Sequence, residues 1–483
     1  MVATPRPAAG SRNRSLTRLP QTPPVTAAPT SPSTTRSTIM DTNSFRPEDA
    51  DGVSERTLAL TRRRAQLLGP AYRLFYRDPV HLVRGTGSHL FDADGERYLD
   101  VYNNVASVGH CHPRVVAAVQ QQVATLNTHT RYLHEAVLDY AEDLLSTAPA
   151  EIGQLMLLCT GSEANDLAVR VAQAHTGARG VVISSEAYHG NTDTVSQLSP
   201  ALGTAQPVGD WVRTVPAPDA RLAAAEGHDD LATWFAAKVA AAADELQAEG
   251  HGVAALLADS IFSSDGVFPD PAGFLAPAVD EVRARGGVFI ADEVQPGFAR
   301  TGRAFWGFAG HGVVPELVTT GKPMGNGIPV SGLLARPEVL ASFADHLPYF
   351  NTFGGNPVSV AAAQAVLDVI RDEDLQGSAL RVGTALRDDL RSLSARTDLL
   401  GEVRGSGLYI GLEVVDPDTG AGSKALALDV VEALRQRRVL TSVCGAGGDV
   451  LKLRPPLVFS SEDAGWLLEA LDDAVRAVGA QRR

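Results

Sequence analysis

Lys322 is the residue whose type and setting first suggest chemistry. The chain of 483 residues holds four lysines, Lys238, Lys322, Lys424 and Lys452, against 38 arginines. With Ala, Gly and Pro also abundant, that bias is the mark of a GC-rich genome. A lysine in an unusual place is then one that arginine cannot replace. Lys238 in "ATWFAAKVAAAADEL" and Lys424 after "DPDTGAGS" read as solvated surface positions. Lys452 in "VLKLRPPL" alternates with Leu451 and Leu453 and reads as projecting from one face of a strand. Lys322 follows the apolar "PELVTTG" and is flanked by Gly321, Pro323, Gly325 and Gly327. Ligands of open α/β sheets bind at the carboxyl ends of strands, and small residues let a bulky ligand approach the backbone. A partly buried amine there loses basicity, which suits a Schiff base with a carbonyl. A lysine snorkelling out of a glycine-rich loop is the ordinary alternative.

Three further segments point the same way. "GGVFIADEVQ" is an apolar strand that ends in Asp292. An acid there is either a helix N-cap or the partner of something cationic, since a buried carboxylate needs a partner. The protonated ring nitrogen of pyridoxal phosphate would be such a partner. "CTGSEANDLAVRVA" ends a strand at Cys159 and opens a helix at Gly161-Ser162, where free N–H groups and the helix dipole can hold a phosphate. A plain serine N-cap explains that segment equally well. In "SEAYHGNT", Tyr188-His189-Gly190 follows another strand end, and the aromatic could stack on a flat ring or simply pack. Taken jointly, the four sites describe a phosphate cup, a ring stack, an acid for a ring nitrogen and a Schiff-base lysine.

The elements that must position them follow from periodicity. Apolar runs at 155–159, 180–185, 253–258, 287–292 and 317–321 alternate with helical segments, which predicts a parallel sheet covered on both faces. "GSHLFDADGERYLDV" predicts two short strands around an Asp-Gly turn. "HPRVVAAVQQQVATL" predicts a helix with Val115, Val119 and Val123 on one face. Near the C-terminus, 424–438 is helical. A closing helix begins at Ser460-Ser461-Glu462-Asp463 like a capping box, with Leu467, Leu471, Val475 and Val478 on its apolar face. No GxGxxG follows a strand and no GxxxxGK[ST] occurs, so dinucleotide and P-loop fingerprints are absent. The expected fold is α/β, a large domain with a mostly parallel sheet plus a smaller α+β domain drawn from both chain ends. The expected boundaries are 45–110 and 356–483 for the small domain and 111–355 for the large one.

Residues 1–44 read as a disordered extension. Positions 1–40 hold seven Pro, eight Thr, five Ser and five Arg with no acidic residue, and cannot bury enough apolar surface to order. The same composition is that of an organellar transit peptide. Met40 precedes a change to acidic composition and is a candidate start. The whole chain carries −14. Without the five arginines of 1–40 the remainder stands at −19, which argues against nucleic-acid binding. Cys111, Cys159 and Cys444 make no disulfide framework and suggest a reducing, cytoplasmic setting. No apolar run has the length of a membrane span. His110-Cys111-His112 invites a metal reading, but ligands so closely spaced rarely close around one ion, and no metal is expected.

At these residues the chain resembles the class III (subgroup II) aminotransferases of fold type I. The motifs are "GSEAN" (161–165), "YHG" (188–190), "ADEVQ" (291–295), "GKPMGNGIPV" (321–330) and "NTFGGNPVS" (351–359). The resemblance implies pyridoxal 5'-phosphate as cofactor, with Lys322 forming the Schiff base and Asp292 bonding the ring nitrogen. Gln295 would meet the ring hydroxyl and Tyr188 would stack, with His189 beside it. Gly161 and Ser162 would hold the phosphate, completed by Thr352 of a neighbouring subunit in a homodimer. Arg454 would bind the substrate carboxylate, with Asn103 and Asp259 on the substrate side. Asp259 stands where Glu is usual, and Ala299 in "GFARTG" where Gly is common. "YNNVASVGHCHP", "LNTHTRYLHE" and "YFNTFGGNPVS" are similar to the alanine–glyoxylate-aminotransferase-2-like branch, which includes phospho-lyases. The implied reaction is transfer of an amino group from a small-molecule donor to a keto acid. Phosphate elimination from a phosphorylated amine (ethanolamine phosphate or phosphohydroxylysine type) is the alternative, and racemisation or decarboxylation a further one. Lysine is more usual at the position of Arg454 in the phospho-lyases.

Overall fold

The computed structural model describes residues 43–482. The proline-rich stretch 1–40 lies outside the described residues. Four short strands form a first sheet. β1 (Leu82–Thr86), β2 (His89–Asp92) and β3 (Arg97–Asp100) are antiparallel neighbours, and β13 (Val439–Leu440) joins β3 in parallel. The expected strand pair around the Asp-Gly turn is therefore present as β2 and β3, with the turn closed by Gly95 at φ 87°. The pairing of β13 with β3 brings residues 340 positions apart into one sheet, and Arg435 and Arg438 reinforce it through Asp78 and Glu96.

The central sheet has seven strands: β4 (Gln154–Leu158), β5 (Val181–Ser184), β6 (Val212–Val215), β7 (Ala255–Asp259), β8 (Val288–Asp292), β9 (Leu317–Thr320) and β10 (Ser331–Ala335). Their order is β4-β10-β9-β8-β7-β5-β6. The mostly parallel sheet expected from the sequence is present, with one strand reversed. β10 runs antiparallel to both β9 and β4, so six strands point one way and one returns. The reason is local: only the loop 321–330 links β9 to β10, too short for the helical crossover that a parallel neighbour requires. β8, β9 and β10 are wholly buried, as expected of strands covered on both faces. β6, "VRTV", was not anticipated, because its inner Arg213 and Thr214 break the apolar run.

A third sheet, in the order β11-β12-β15-β14, contains β11 (Leu400–Ser406), β12 (Tyr409–Val414), β14 (Ser442–Cys444) and β15 (Val450–Leu453). The expected C-terminal helices occur at Lys424–Gln436 and Ser461–Arg482. Ser460 Oγ accepts from the Asp463 amide at 3.1 Å, and Asp463 Oδ2 accepts from the Ser460 amide at 3.0 Å. Leu467, Leu471, Val475 and Val478 are all buried. The helix Pro113–Val123 is less uniform than its period suggested. Val115 is buried, Val119 is half-buried, and Val123 is 60% exposed as the helix leaves its neighbours. Lys238 pairs with Glu226 at 2.6 Å across the rim of its helix, and Lys424 is half-buried. Lys452 does not project to solvent: it is 2% exposed, because β15 is covered on both faces.

The helix Leu375–Ser394 lies against the β11–β12 turn at Gly383, where an added Cβ would overlap the backbone carbonyl of Gly407. Alanine normally favours a helix interior by ~1 kcal/mol over glycine. Here Gly383→Ala should instead destabilise by about 1–3 kcal/mol through overpacking. The check is the denaturant midpoint at unchanged m-value.

Candidate active site

Strand ends of the central sheet converge on a cavity of about 330 Å³. Thr160, Gly161 and Ser162 line one end, at the start of the helix Gly161–Thr176. A capping box builds that end. Thr160 Oγ1 accepts from the Glu163 amide at 3.2 Å, and Glu163 Oε2 accepts from the amides of Cys159 and Thr160 at 2.9 and 3.2 Å. The Gly161 and Ser162 amides have no acceptor among the described residues and remain available to an anion. Gly161 also lets the helix start approach Val294, since a Cβ there would sit 3.0 Å from its side chain.

Asp292 closes β8 and is 4% exposed. Its Oδ2 accepts from His189 Nδ1 at 2.7 Å and from Asn165 Nδ2 at 2.9 Å, and its Oδ1 from the Val294 amide at 3.1 Å. Asn165 is oriented in turn by Thr319, whose hydroxyl donates to Asn165 Oδ1 at 2.6 Å. Hydrogen bonds to a charged acceptor contribute about 1.5–3 kcal/mol each, so three donors satisfy this buried carboxyl group. His189 Nε2 is buried with no partner among the described residues. Tyr188 is half-buried on the cavity wall, and burial raises its phenol pKa.

Lys322 follows β9 and lines both this cavity and a second one of about 430 Å³. Burial, and then the Arg454 charge, push its amine down to about 8, while Asp292 and Asp259 act in the opposite direction. Asp259 is the register partner of Asp292 on β7. Its oxygens accept from the Ile261 and Ser263 amides at 3.0 and 3.1 Å, and burial raises its pKa.

The second cavity is lined by Asn103 and Arg454 among others. Arg454 is 6% exposed and lies 4.2 Å from the Tyr102 ring centroid. Its Nη1 donates to Asn104 Oδ1 and to Gln295 Oε1, both at 2.6 Å. Among the described residues it meets no carboxylate, and its Nε is unpaired. Gln295 Oε1 also accepts from Tyr409 Oη at 3.1 Å, so its Nε2 is left for the cavity that it lines. Asn103 Oδ1 accepts from the Val105 amide at 3.0 Å.

The structure thus gathers Gly161, Ser162, Tyr188, His189, Asp259, Asp292, Gln295 and Lys322 around one cavity, and Asn103 and Arg454 around the adjoining one. Thr352 lines neither and lies in an exposed segment. His110 and His112 turn to different acids, Asp100 at 2.7 Å and Glu373 at 3.2 Å. Sequence reading passed over Asn104, Asn165, Thr319 and Tyr409. Asn165 stood inside the quoted "GSEAN", and Asn104 beside Asn103, but only the fold shows what they touch.

The geometry suits pyridoxal phosphate: an open helix N-terminus, a buried acid held by three donors, an aromatic wall and an amine of lowered basicity share one cavity. The sequence pattern of the family described as "Aminotransferase class-III" matches residues 76–475. A Drosophila melanogaster protein named "Alanine--glyoxylate aminotransferase 2-like" is 40% identical over 454 residues, covering 91% of this chain and 92% of that protein. The "Ethanolamine-phosphate phospho-lyase homolog 1" of Caenorhabditis elegans is 35% identical, covering 86% and 93%. The solved structure of a phospholyase from Arthrobacter in complex with phosphoethanolamine is 43% identical with a TM-score of 0.83, covering 86% of this chain and 99% of that one.

Competitive acetylation of the cofactor-free protein, read by mass spectrometry, should show Lys322 reactivity rising through a midpoint near pH 8. A midpoint near that of an ordinary lysine, ~10.4, would remove the electrostatic account of this amine.

Proposed function

The chain belongs to the class-III aminotransferase family, pyridoxal-phosphate enzymes of fold type I, and from that premise we propose that it deprotonates a small primary amine carrying an anionic group and eliminates phosphate from it. One observation carries this reading: the buried Arg454 guanidinium beside the Lys322 cavity has no carboxylate partner among the described residues. An unpaired buried charge is costly, so the site is incomplete without an anion. The likeness to a phospholyase with phosphoethanolamine supports phosphate as that anion.

The bound cofactor supplies an aldehyde for amines and a ring that accepts an electron pair. The remaining work falls to the chain. The Gly161 and Ser162 amides would hold the phosphate end of the cofactor. Asp292, held by His189 and Asn165, would be the partner of the ring nitrogen. Tyr188 would cover a ring face, and Gln295 would meet the ring hydroxyl. Lys322 would hold the cofactor through its amine. Released, its amine is neutral over a useful fraction of molecules near pH 8 and takes the proton from the carbon bearing the substrate nitrogen. Arg454 holds the substrate anion. The bond from the next carbon to the phosphate oxygen then breaks, and water completes release of an aldehyde and ammonia.

Transamination, the first expectation from sequence, is the second reading. Arg454 is compatible with it, because a planar guanidinium fork fits a carboxylate as well as a phosphate. The named Drosophila relative also belongs to an aminotransferase-like group. Holoenzyme given a panel of phosphorylated amines and amino acids, with no keto acid, separates the two. Catalytic release of phosphate and ammonia is expected. Stoichiometric pyridoxamine phosphate without phosphate release would overturn elimination in favour of transamination. Lys322→Ala should lower turnover by about 10²–10⁴-fold and abolish borohydride fixation of the cofactor. Arg454→Ala should lower kcat/KM by about 2–5 kcal/mol equivalent.

The homodimer belongs to the same proposal. Leu133 is 98% exposed, and Tyr132, Phe350 and Phe353 are exposed near it. His129 stacks on Tyr132 and meets Phe350 edge-on, which joins segments 129–133 and 350–353 into one apolar surface. A second copy covering this surface would carry Thr352 toward the neighbouring site. Sedimentation should give twice the chain mass. Leu133→Asp should shift it toward one chain mass and weaken cofactor retention.

A further inference from the structure

β15 presents a second cation behind the first. Lys452 lies on β15, and Arg454 directly follows the strand's last residue, Leu453. Lys452 and Arg454 are 2% and 6% exposed. Among the described residues the Lys452 ammonium has neither an ion pair nor a hydrogen bond; it lies 5.8 Å from the centroid of the Tyr409 ring. The Tyr409 hydroxyl donates to the same Gln295 oxygen that takes Arg454 Nη1, so Tyr409 and Gln295 link Lys452 to the guanidinium. The groups that face it are Arg454 just past the end of its own strand, Cys444 on β14, Tyr409 on β12, Asp259 at the end of β7 and Lys322 beyond β9.

We propose that Lys452 is a positioning charge for the substrate: it takes up a proton as a phosphate monoester dianion binds at Arg454, and thereby makes the site prefer a phosphorylated amine to one bearing a carboxylate. The inference rests on Arg454 as the partner of the substrate anion. Charge balance gives the reason. A carboxylate is neutralised by Arg454 alone, whereas a dianion leaves one charge uncompensated where the dielectric is low. A proton from solvent on Lys452 restores neutrality. The lysine is poised for this, since burial and then Arg454 push it down to about 8, with Lys322 adding to the effect and Cys444 and Asp259 opposing it. Arginine could not serve, because it stays charged at every accessible pH.

The test is calorimetry on the holoenzyme, whose cofactor phosphate end is already filled. It is run at about pH 9, above the probe's second ionisation near 6, in two buffers of different ionisation heat. Monomethyl phosphate and propionate serve as unreactive probes. Monomethyl phosphate should bind with uptake of most of one proton, and propionate with almost none. Lys452→Met should abolish the uptake and weaken monomethyl phosphate about tenfold, while propionate changes by less than about twofold. Lys452→Arg should restore tight monomethyl phosphate binding without proton uptake. Binding of monomethyl phosphate to the wild type without uptake, or uptake that persists in Lys452→Met, would overturn the role of Lys452 and leave the Arg454 reading standing. If neither probe binds, or if Arg454→Ala leaves both affinities unchanged, the Arg454 reading fails and the role of Lys452 fails with it.

Discussion

The burial of one carboxylate sets the rest of this site. Asp292 ends a strand in the middle of the sheet, where an ionised group survives only if donors surround it. Those donors come from different elements. His189 comes from the loop after β5, Asn165 from the helix that follows β4, and Val294 from the turn after β8 itself. Thr319 on β9 fixes Asn165. Satisfying one charge therefore ties two strands, a loop and a helix into a fixed arrangement. The same helix supplies the free amides of Gly161 and Ser162. Those amides lie about one turn, ~5 Å along the axis, from Asn165. A single rigid helix thus sets the spacing between the phosphate end and the acid end of the proposed cofactor site.

The second organising feature is the separation of charge across the two cavities. Carboxylates gather under the first, with Asp259 beside Asp292 in the register of β7 and β8. Cations gather behind the second, with Lys452 on β15 and Arg454 directly after it. Lys322 lies where the cavities meet and feels both groups, Arg454 lowering its basicity and the two aspartates raising it. Burial decides the net direction. An amine so placed can be neutral near physiological pH without any base bonded to it, which leaves its lone pair free. The helix capping and sheet register that put Asp259 and Asp292 side by side are therefore also what tunes the lysine.

Much of this was legible in the sequence where one residue type could meet one local demand. Gly161 and Ser162 stood at a strand-to-helix junction, Asp292 and Lys322 at the ends of apolar runs. The strands β4, β5, β7, β8 and β9 were legible because burial on both faces leaves continuous apolar runs. What escaped notice depended on partners distant in sequence. β10 has the same apolar character as its neighbours, and its reversed direction is set by the length of the 321–330 connection rather than by its composition. Asn104 matters because Arg454, 350 positions later, donates to it. Lys452 was read as projecting from its strand because alternation says which residues share a face but not which face is covered. β12 and β14 flank β15 and help bury it.

The genome's preference for arginine sharpens the point about the lysines. Two of the four occupy surface or half-buried positions, where Lys238 makes an ion pair that arginine would make equally well. The other two, Lys322 and Lys452, have their basicity lowered chiefly by burial and then by Arg454, and Lys322 lowers that of Lys452 further. A guanidinium in either place would remain charged, could neither attack a carbonyl nor release a proton, and would add a permanent positive charge beside Arg454. Replacement of lysine by arginine is chemically silent on a solvated helix and disabling where the function is to change charge. The shortage of lysine in this chain therefore works as a filter, and the roles proposed for the two lysines it leaves in the interior both rest on an amine that can be neutral.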